Sequence, residues 1–265
     1  MYSILLIIAG SNSILTFKRN EIWQDELTFW SDNISKSPNK AGPYLNRGLA
    51  YGNLGQWESS IEDYTKAIGI NPRFAKSYAN RGIDYANLST WDKAIPDFSK
   101  AIELDPKYVD AYYNRGVGYS ALGLREKAIT DYTKAVEHDA RYARAYYNRG
   151  IEYFNLGLWD KSIADYTKVI EIEPGFSAAY YNRGLDYGNH GKWERAVTDY
   201  SAAIAIDPKF ALAYNACGLA YNNLGRWEDA INDFSAALVI DPNFTQANSN
   251  REVSYKNLKN DNKRQ

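Results

Sequence analysis

The residue types that most often carry chemistry are scarce in this chain. Cysteine occurs once, at Cys217, and histidine twice, at His138 and His190, among 265 residues. A lone cysteine excludes an intramolecular disulfide framework and a cysteine metal cluster, and it leaves the redox compartment open. No glycine-rich phosphate loop and no metal-ligand spacing is present. The expectation is a protein that is not an enzyme and needs no metal or cofactor. Charge of one sign is also missing: 31 lysines and arginines stand against 32 aspartates and glutamates. That balance argues against a nucleic-acid partner and against a polybasic membrane patch.

Long apolar runs are absent with one exception, residues 1–17, MYSILLIIAGSNSILTF. Ser11, Asn12 and Ser13 interrupt it, and it falls short of the ~20 apolar residues a spanning helix needs. Three readings stay open: a membrane anchor or the remnant of a last transmembrane helix, a signal peptide cut near Ala9-Gly10-Ser11, or a buried terminal helix. Lys18 and Arg19 would hold that end of an anchor in the cytoplasm by the positive-inside rule. Localisation is accordingly open between membrane-associated, cytoplasmic and exported.

What the chain has in excess is aromatic residues, 23 tyrosines and 7 tryptophans. They recur with a period of 34. In Ala143 to Phe176, Tyr146, Gly150, Tyr153 and Leu156 keep helical spacing, Gly157 interrupts, and Trp159, Ser162, Ile163, Tyr166, Val169 and Ile170 make a second stripe. The pattern predicts helix, tight turn, helix, with Glu173-Pro174 ending the second helix. Neither helix can bury its stripe alone, so copies must stack. Six copies follow one another without insertion: 41–74, 75–108, 109–142, 143–176, 177–210 and 211–244. With no linkers between them, one continuous stack is expected.

The ends and two copies depart from the pattern. Residues 18–40 fit as a degenerate half repeat, with Trp23 and Trp30 on the positions of Trp159 and Tyr166. Residues 245–258 read as a capping first helix carrying Asn248 and Glu252, and 259–265 as a disordered tail. Pro96 inside a second helix predicts a kink or a frayed first turn. Arg125 for tryptophan and Ala140 for proline mark the third copy as the loosest joint.

This pattern resembles the tetratricopeptide repeat, over 41–258 and weakly back to about Arg19. The resemblance implies an all-α, right-handed superhelical solenoid of helix-turn-helix repeats and a protein or peptide partner in its concave groove. It assigns Gly48, Gly82, Gly116, Gly150, Gly184 and Gly218 to close helix contacts with the small residues Ser60, Ala94, Ala128, Ser162, Ala196 and Ala230. Tyr51, Tyr85, Tyr119, Tyr153, Tyr187 and Tyr221 are expected in the core with Trp57, Trp91, Trp159, Trp193 and Trp227. The segment Lys18 to Gly48 also looks like the junction before the repeats of certain bacterial multi-spanning glycosyltransferases, which implies an accessory role in such a membrane or envelope-assembly system as an alternative. Structural self-assembly is a third reading, with oligomeric state open.

One departure from the family is systematic. Arg47, Arg81, Arg115, Arg149 and Arg183 occupy an interior position that is usually apolar, and such a cation needs partners. Asp63, Asp97, Asp131, Asp165 and Asp199, with Asp233, supply them in a structural ladder made either within a repeat or to the next. The ends leave the choice open: pairing within a repeat sets Asp233 against Cys217, and pairing onward strands Arg47 opposite Phe29. One residue earlier lie Asn46, Asn80, Asn114, Asn148, Asn182 and Asn250. A similar asparagine column in the superhelix of O-linked N-acetylglucosamine transferase holds substrate backbone, and a primary amide both donates and accepts. The resemblance therefore implies a peptide-binding groove, with Tyr113, Tyr147 and Tyr181 beside it as contact anchors. A second column, Asn53, Asn87, Asn155, Asn189, Asn223 and Asn257, suits either the groove or the helix ends. Leu45 and Leu49 replace the lysine and asparagine of the family's chaperone-tail clamp, so that activity is not expected.

Overall fold

The structure is a computed structural model that describes residues 26–263. The apolar segment 1–17 and residues 18–25 of the junction, Trp23 among them, lie outside the described residues, as do the last two residues. The described chain is helical, with helix α1 covering 26–36. Then come α2 (Ala41–Asn53), α3 (Trp57–Ile70), α4 (Ala75–Asn87), α5 (Trp91–Leu104), α6 (Val109–Ala121) and α7 (Arg125–His138). These belong to one compact unit, which ends at His138. A second unit begins at Asp139 and holds α8 (Ala143–Asn155), α9 (Trp159–Ile172), α10 (Ser177–Asn189), α11 (Trp193–Ile206), α12 (Ala211–Asn223), α13 (Trp227–Ile240) and α14 (Thr245–Asp261). In each unit a first helix packs on its second, and that second helix on the next first helix.

Two chemical signals cut the helices to length. Gly157 adopts φ 69°, so its N–H reaches Phe154 O at 2.9 Å while Leu158 N reaches Tyr153 O at 2.9 Å. This is the bond pair of a left-handed helix stop. In the second copy Ser89 fills the same role at φ 57°. The second helices end on an extended residue before proline, as at Asp105 with ψ 92°. There the Asp105 carboxylate accepts from Lys107 N at 3.1 Å. At Ala140 the proline is missing but the same turn remains, because Asp139 Oδ1 accepts from Arg141 N at 2.9 Å. The division between the two units falls at this turn. Helix α5 runs from Trp91 across Pro96 to Leu104 without a break, so its first turn is not frayed.

The core differs from the expectation. Its fully buried side chains are small ones, such as Ala94, Ala101, Ala196 and Ala203, together with one ring per copy: Tyr64, Phe98, Tyr132, Tyr166, Tyr200 and Phe234. Trp57, Trp91, Trp159, Trp193 and Trp227 are only half-buried. Each opens its helix, next to the turn that joins the pair. The glycines, too, meet a ring as well as small residues. A Cβ on Gly48 would stand 2.7 Å from Tyr64 Cε1, while Ser60 Oγ donates to Gly48 O at 2.7 Å. Glycine is needed because an aromatic ring lies flat on the helix backbone.

Helix α14 extends past Leu258 to Asp261, whose carboxylate accepts the Trp227 indole N–H. Three residues of the expected tail are thereby helical. No helix among the described residues is long and apolar enough to cross a membrane.

Candidate functional site

The arginine position sets the register of the surface around it. Arg47 Nε and Nη2 donate to Asp63 Oδ2 and Oδ1 at 2.7 and 2.8 Å. The same fork joins Arg81 to Asp97, Arg115 to Asp131, Arg149 to Asp165 and Arg183 to Asp199 at 2.7 to 2.9 Å. Every pair is made within one copy, from first helix to second. The aspartates keep 9 % or less of their side-chain surface, so removing a partner would strand a buried charge at roughly 3–5 kcal/mol. Their hydrogen bonds hold the guanidinium pKa above its ordinary value at Arg47, Arg81, Arg115 and Arg183, against the opposing pull of burial.

The third arm of the guanidinium does what the sequence reading missed. Nη1 of Arg47, Arg81, Arg115 and Arg183 donates to Ser31, Thr65, Ser99 and Thr167 at 3.0 to 3.1 Å. Each of these hydroxyls lies on the second helix of the preceding copy. Tyrosine rings flank the cation, two each at Arg47, Arg81 and Arg115, as Tyr78 and Tyr85 do at 5.8 and 5.9 Å from Arg81, and Tyr180 at Arg183. The signal was present in the sequence: the residue after the buried ring is always serine or threonine, at Thr65, Ser99, Thr133, Thr167, Ser201 and Ser235.

With the arginine turned inward, the residue before it stands about 100° round the first helix. Asn46, Asn80, Asn114, Asn148, Asn182 and Asn250 are all half-buried. Where a polar group stands one position earlier in the copy before, the amide bonds to it: Asn182 Nδ2 donates to Tyr147 Oη at 3.0 Å and Asn250 Nδ2 to Asn215 Oδ1 at 3.1 Å. Asn80 stands near the buried Tyr64 hydroxyl instead. The tyrosine anchors are less free than expected. Tyr147 packs at 5.8 Å on Tyr166 and 4.8 Å on Phe176, Tyr181 at 5.9 Å on Tyr200 and 5.0 Å on Phe210, and Tyr113 at 6.0 Å on Tyr132. All three are half-buried, each against the ring of its own second helix.

Two further rows complete this face. Asn53, Asn87, Asn155, Asn189 and Asn223 are exposed and Asn257 half-buried; Asn223 donates to Leu219 O at 2.8 Å, as a helix-end residue does. Between the asparagine rows runs an aliphatic one, with Leu49, Ile83 and Val253 exposed and Ile151 and Leu185 half-buried. Its signal was an invariably aliphatic residue two places after each arginine. First helices of neighbouring copies touch, α2 with α4, α4 with α6, α10 with α12 and α12 with α14. Each unit therefore presents amides and aliphatic side chains on adjoining helices, a surface that can meet both the backbone and the side chains of an extended chain.

Residues 42–74, 143–176 and 211–244 match a family model described as tetratricopeptide repeat, and 109–142 match a second of the same description. Residues 84–123 and 186–225 match a third, described as TPR repeat. No curated protein matches the chain. Among solved structures, YrrB, described as a TPR protein with an unusual peptide-binding site, is 26% identical over 71% of this chain and 96% of its own, with a TM-score of 0.63. MamA is 30% identical over 62% of this chain and 96% of its own, with a TM-score of 0.59. The C-terminal part of a TPR repeat-containing protein from Cytophaga hutchinsonii shares the fold at 17% identity, covering 91% and 98% with a TM-score of 0.72.

Proposed function

The chain belongs to the tetratricopeptide-repeat family, and from that premise we propose that it is a non-catalytic scaffold whose first-helix face binds an extended peptide or protein segment. The observation that carries this reading is the row of half-buried amides, one per first helix in five of six copies and again at Asn250. A peptide backbone offers one donor and one acceptor per residue, and a carboxamide can answer either. The neighbouring aliphatic row adds apolar contact, and the repetition adds weak contacts in series. A relative 26% identical is described as having a peptide-binding site, which supports a peptide as the kind of partner.

The test is a peptide-array comparison of the wild-type protein with the Asn114→Ala, Asn148→Ala, Asn182→Ala triple variant, their folding matched by circular dichroism. Binding should weaken by at least tenfold across all sequences on the array, since the contact is to backbone; about 1.4 kcal/mol corresponds to tenfold. Unchanged binding with the fold intact would assign the amides a packing role.

A further inference from the structure

Among the described residues, most buried aspartates hold an arginine and two do not. Asp63, Asp97, Asp131, Asp165 and Asp199 each hold a guanidinium. Asp84 is just as buried, 3% exposed, yet faces no cation, and its Oδ2 has no hydrogen-bond partner. Ser60, which lies within its reach, already donates its hydrogen to Gly48 O at 2.7 Å. Burial pushes the Asp84 carboxyl up to about 6, so it is ionised at neutral pH with no counter-charge of its own.

This carboxylate borders an open cavity of about 240 Å³ between α2, α3 and α4. At ~30 Å³ per water, that is room for a side chain. Trp57 and Tyr64 line its inner part, and the rim carries Asn53 and Asn87, which are exposed, with the half-buried Asn80. The space exists because residue 52 is glycine. A Cβ there would lie 3.5 Å from Ser60 Oγ, 3.6 Å from Asp84 Oδ1 and 3.9 Å from Trp57 Cζ3. Three copies later the register repeats with Asp186 in place of Asp84 and Phe154 in place of Gly52. The corresponding cavity is lined by Phe154, Tyr166 and Asn182 among others, Asp186 does not border it, and both Asp186 oxygens are buried without a partner. One carboxylate opens on the groove and its counterpart is closed off.

We propose that the cavity at Asp84 takes the cationic head of a lysine or arginine side chain from the bound segment, which pairs with the carboxylate while its stem lies against Trp57. The proposal rests on the groove reading above and adds a side-chain preference to it. An ion pair in a partly dry site is worth more than one in water, and an indole beside it favours a cation.

The test uses the ¹⁵N-labelled full chain and three probes: acetyl-Gly-Ser-Ala-Lys-Ala-Ser-Gly-amide, the same peptide with glutamine for lysine, and n-butylammonium chloride. The lysine peptide should bind about tenfold more tightly than the glutamine peptide and shift the amides of Gly52, Asn53, Asp84 and Asn87. That advantage should vanish in Asp84→Asn and in Gly52→Val, which fills the cavity, and survive in Asp186→Asn. Equal binding of the two peptides, or an advantage that survives Asp84→Asn, overturns the pocket and leaves the groove standing. If neither peptide binds while butylammonium still shifts Gly52 and Asp84 in the wild type but not in Asp84→Asn, the pocket stands and the groove reading falls. No response to any probe overturns both.

Discussion

An arginine survives in the interior of this protein because each of its arms has a destination, and the sixth copy shows what happens when the arginine is gone. Cys217 stands at its position, and Asp233 Oδ2 is left buried without a partner. Burial raises the pKa of Asp233 and of the Cys217 thiol. The rest of the cradle is in place by register: Ser201 for the third arm, Tyr214 and Tyr221 for the two rings. Cys217→Arg is therefore expected to raise stability by about 1–2 kcal/mol in denaturant titrations, with no change in slope. Asp186 makes the opposite kind of case. Neither of its oxygens has a partner, and burial lifts its pKa from 3.8 to about 7. Between about pH 4 and 7 the folded state then binds more protons than the unfolded one, so stability falls as pH rises through that window. Asp186→Asn should match the wild type near pH 4 and exceed it by roughly 2 kcal/mol at pH 8. Parallel stability curves for the two proteins across that range would show that the carboxylate is not held ionised in a dry site.

At the scale of the helix pair, the backbone approach is set by rings lying on glycines. In α10 a Cβ at Gly184 would fall 2.6 Å from Tyr200 Cε1. Gly184→Ala should cost roughly 1–3 kcal/mol by overpacking, even though alanine is the better helix former by about 1 kcal/mol. Gly69 in α3 has nothing within 4 Å of its Cβ position, and there the same change should gain ~0.5–1 kcal/mol, read by thermal melts of both variants. This is also where the sequence was only half legible. Helix ends could be read because Gly157 and Pro174 act locally, through backbone geometry. Depth could not: Trp159 and Tyr166 lie on one stripe, but the first opens its helix and is half-wet, whereas the second sits mid-helix and is dry. Periodicity reports which way a residue points and not how far along the packed interface it stands. The Asp84 cavity was illegible for a related reason. It depends on a missing side chain at Gly52, on another helix, and nothing near Asp84 in the sequence announces that gap.

For the whole molecule, the six-copy pattern and the family were readable because 34-residue repetition survives every local substitution. The pairing of each arginine was not, since Asp63 stands 16 residues after Arg47 and 18 before Arg81, and the spacing alone chose neither. Folding settles it by geometry: the carboxylate goes to the arginine of its own copy and the hydroxyl to the next. Because every such link spans 16 residues, forward or back, none reaches beyond an adjacent copy. Removing residues 75–108, one whole copy, would bring Arg115 to Thr65 in place of Ser99 and leave every fork intact. That shortened chain should fold with unchanged mean residue ellipticity and a stability lowered by one copy's share, as expected for nearest-neighbour coupling. Removing 75–107 instead puts the remaining arginines one residue out of step and should melt many degrees lower. A gene that gains or loses such a segment in whole copies changes the reach of its product without needing a single compensating mutation.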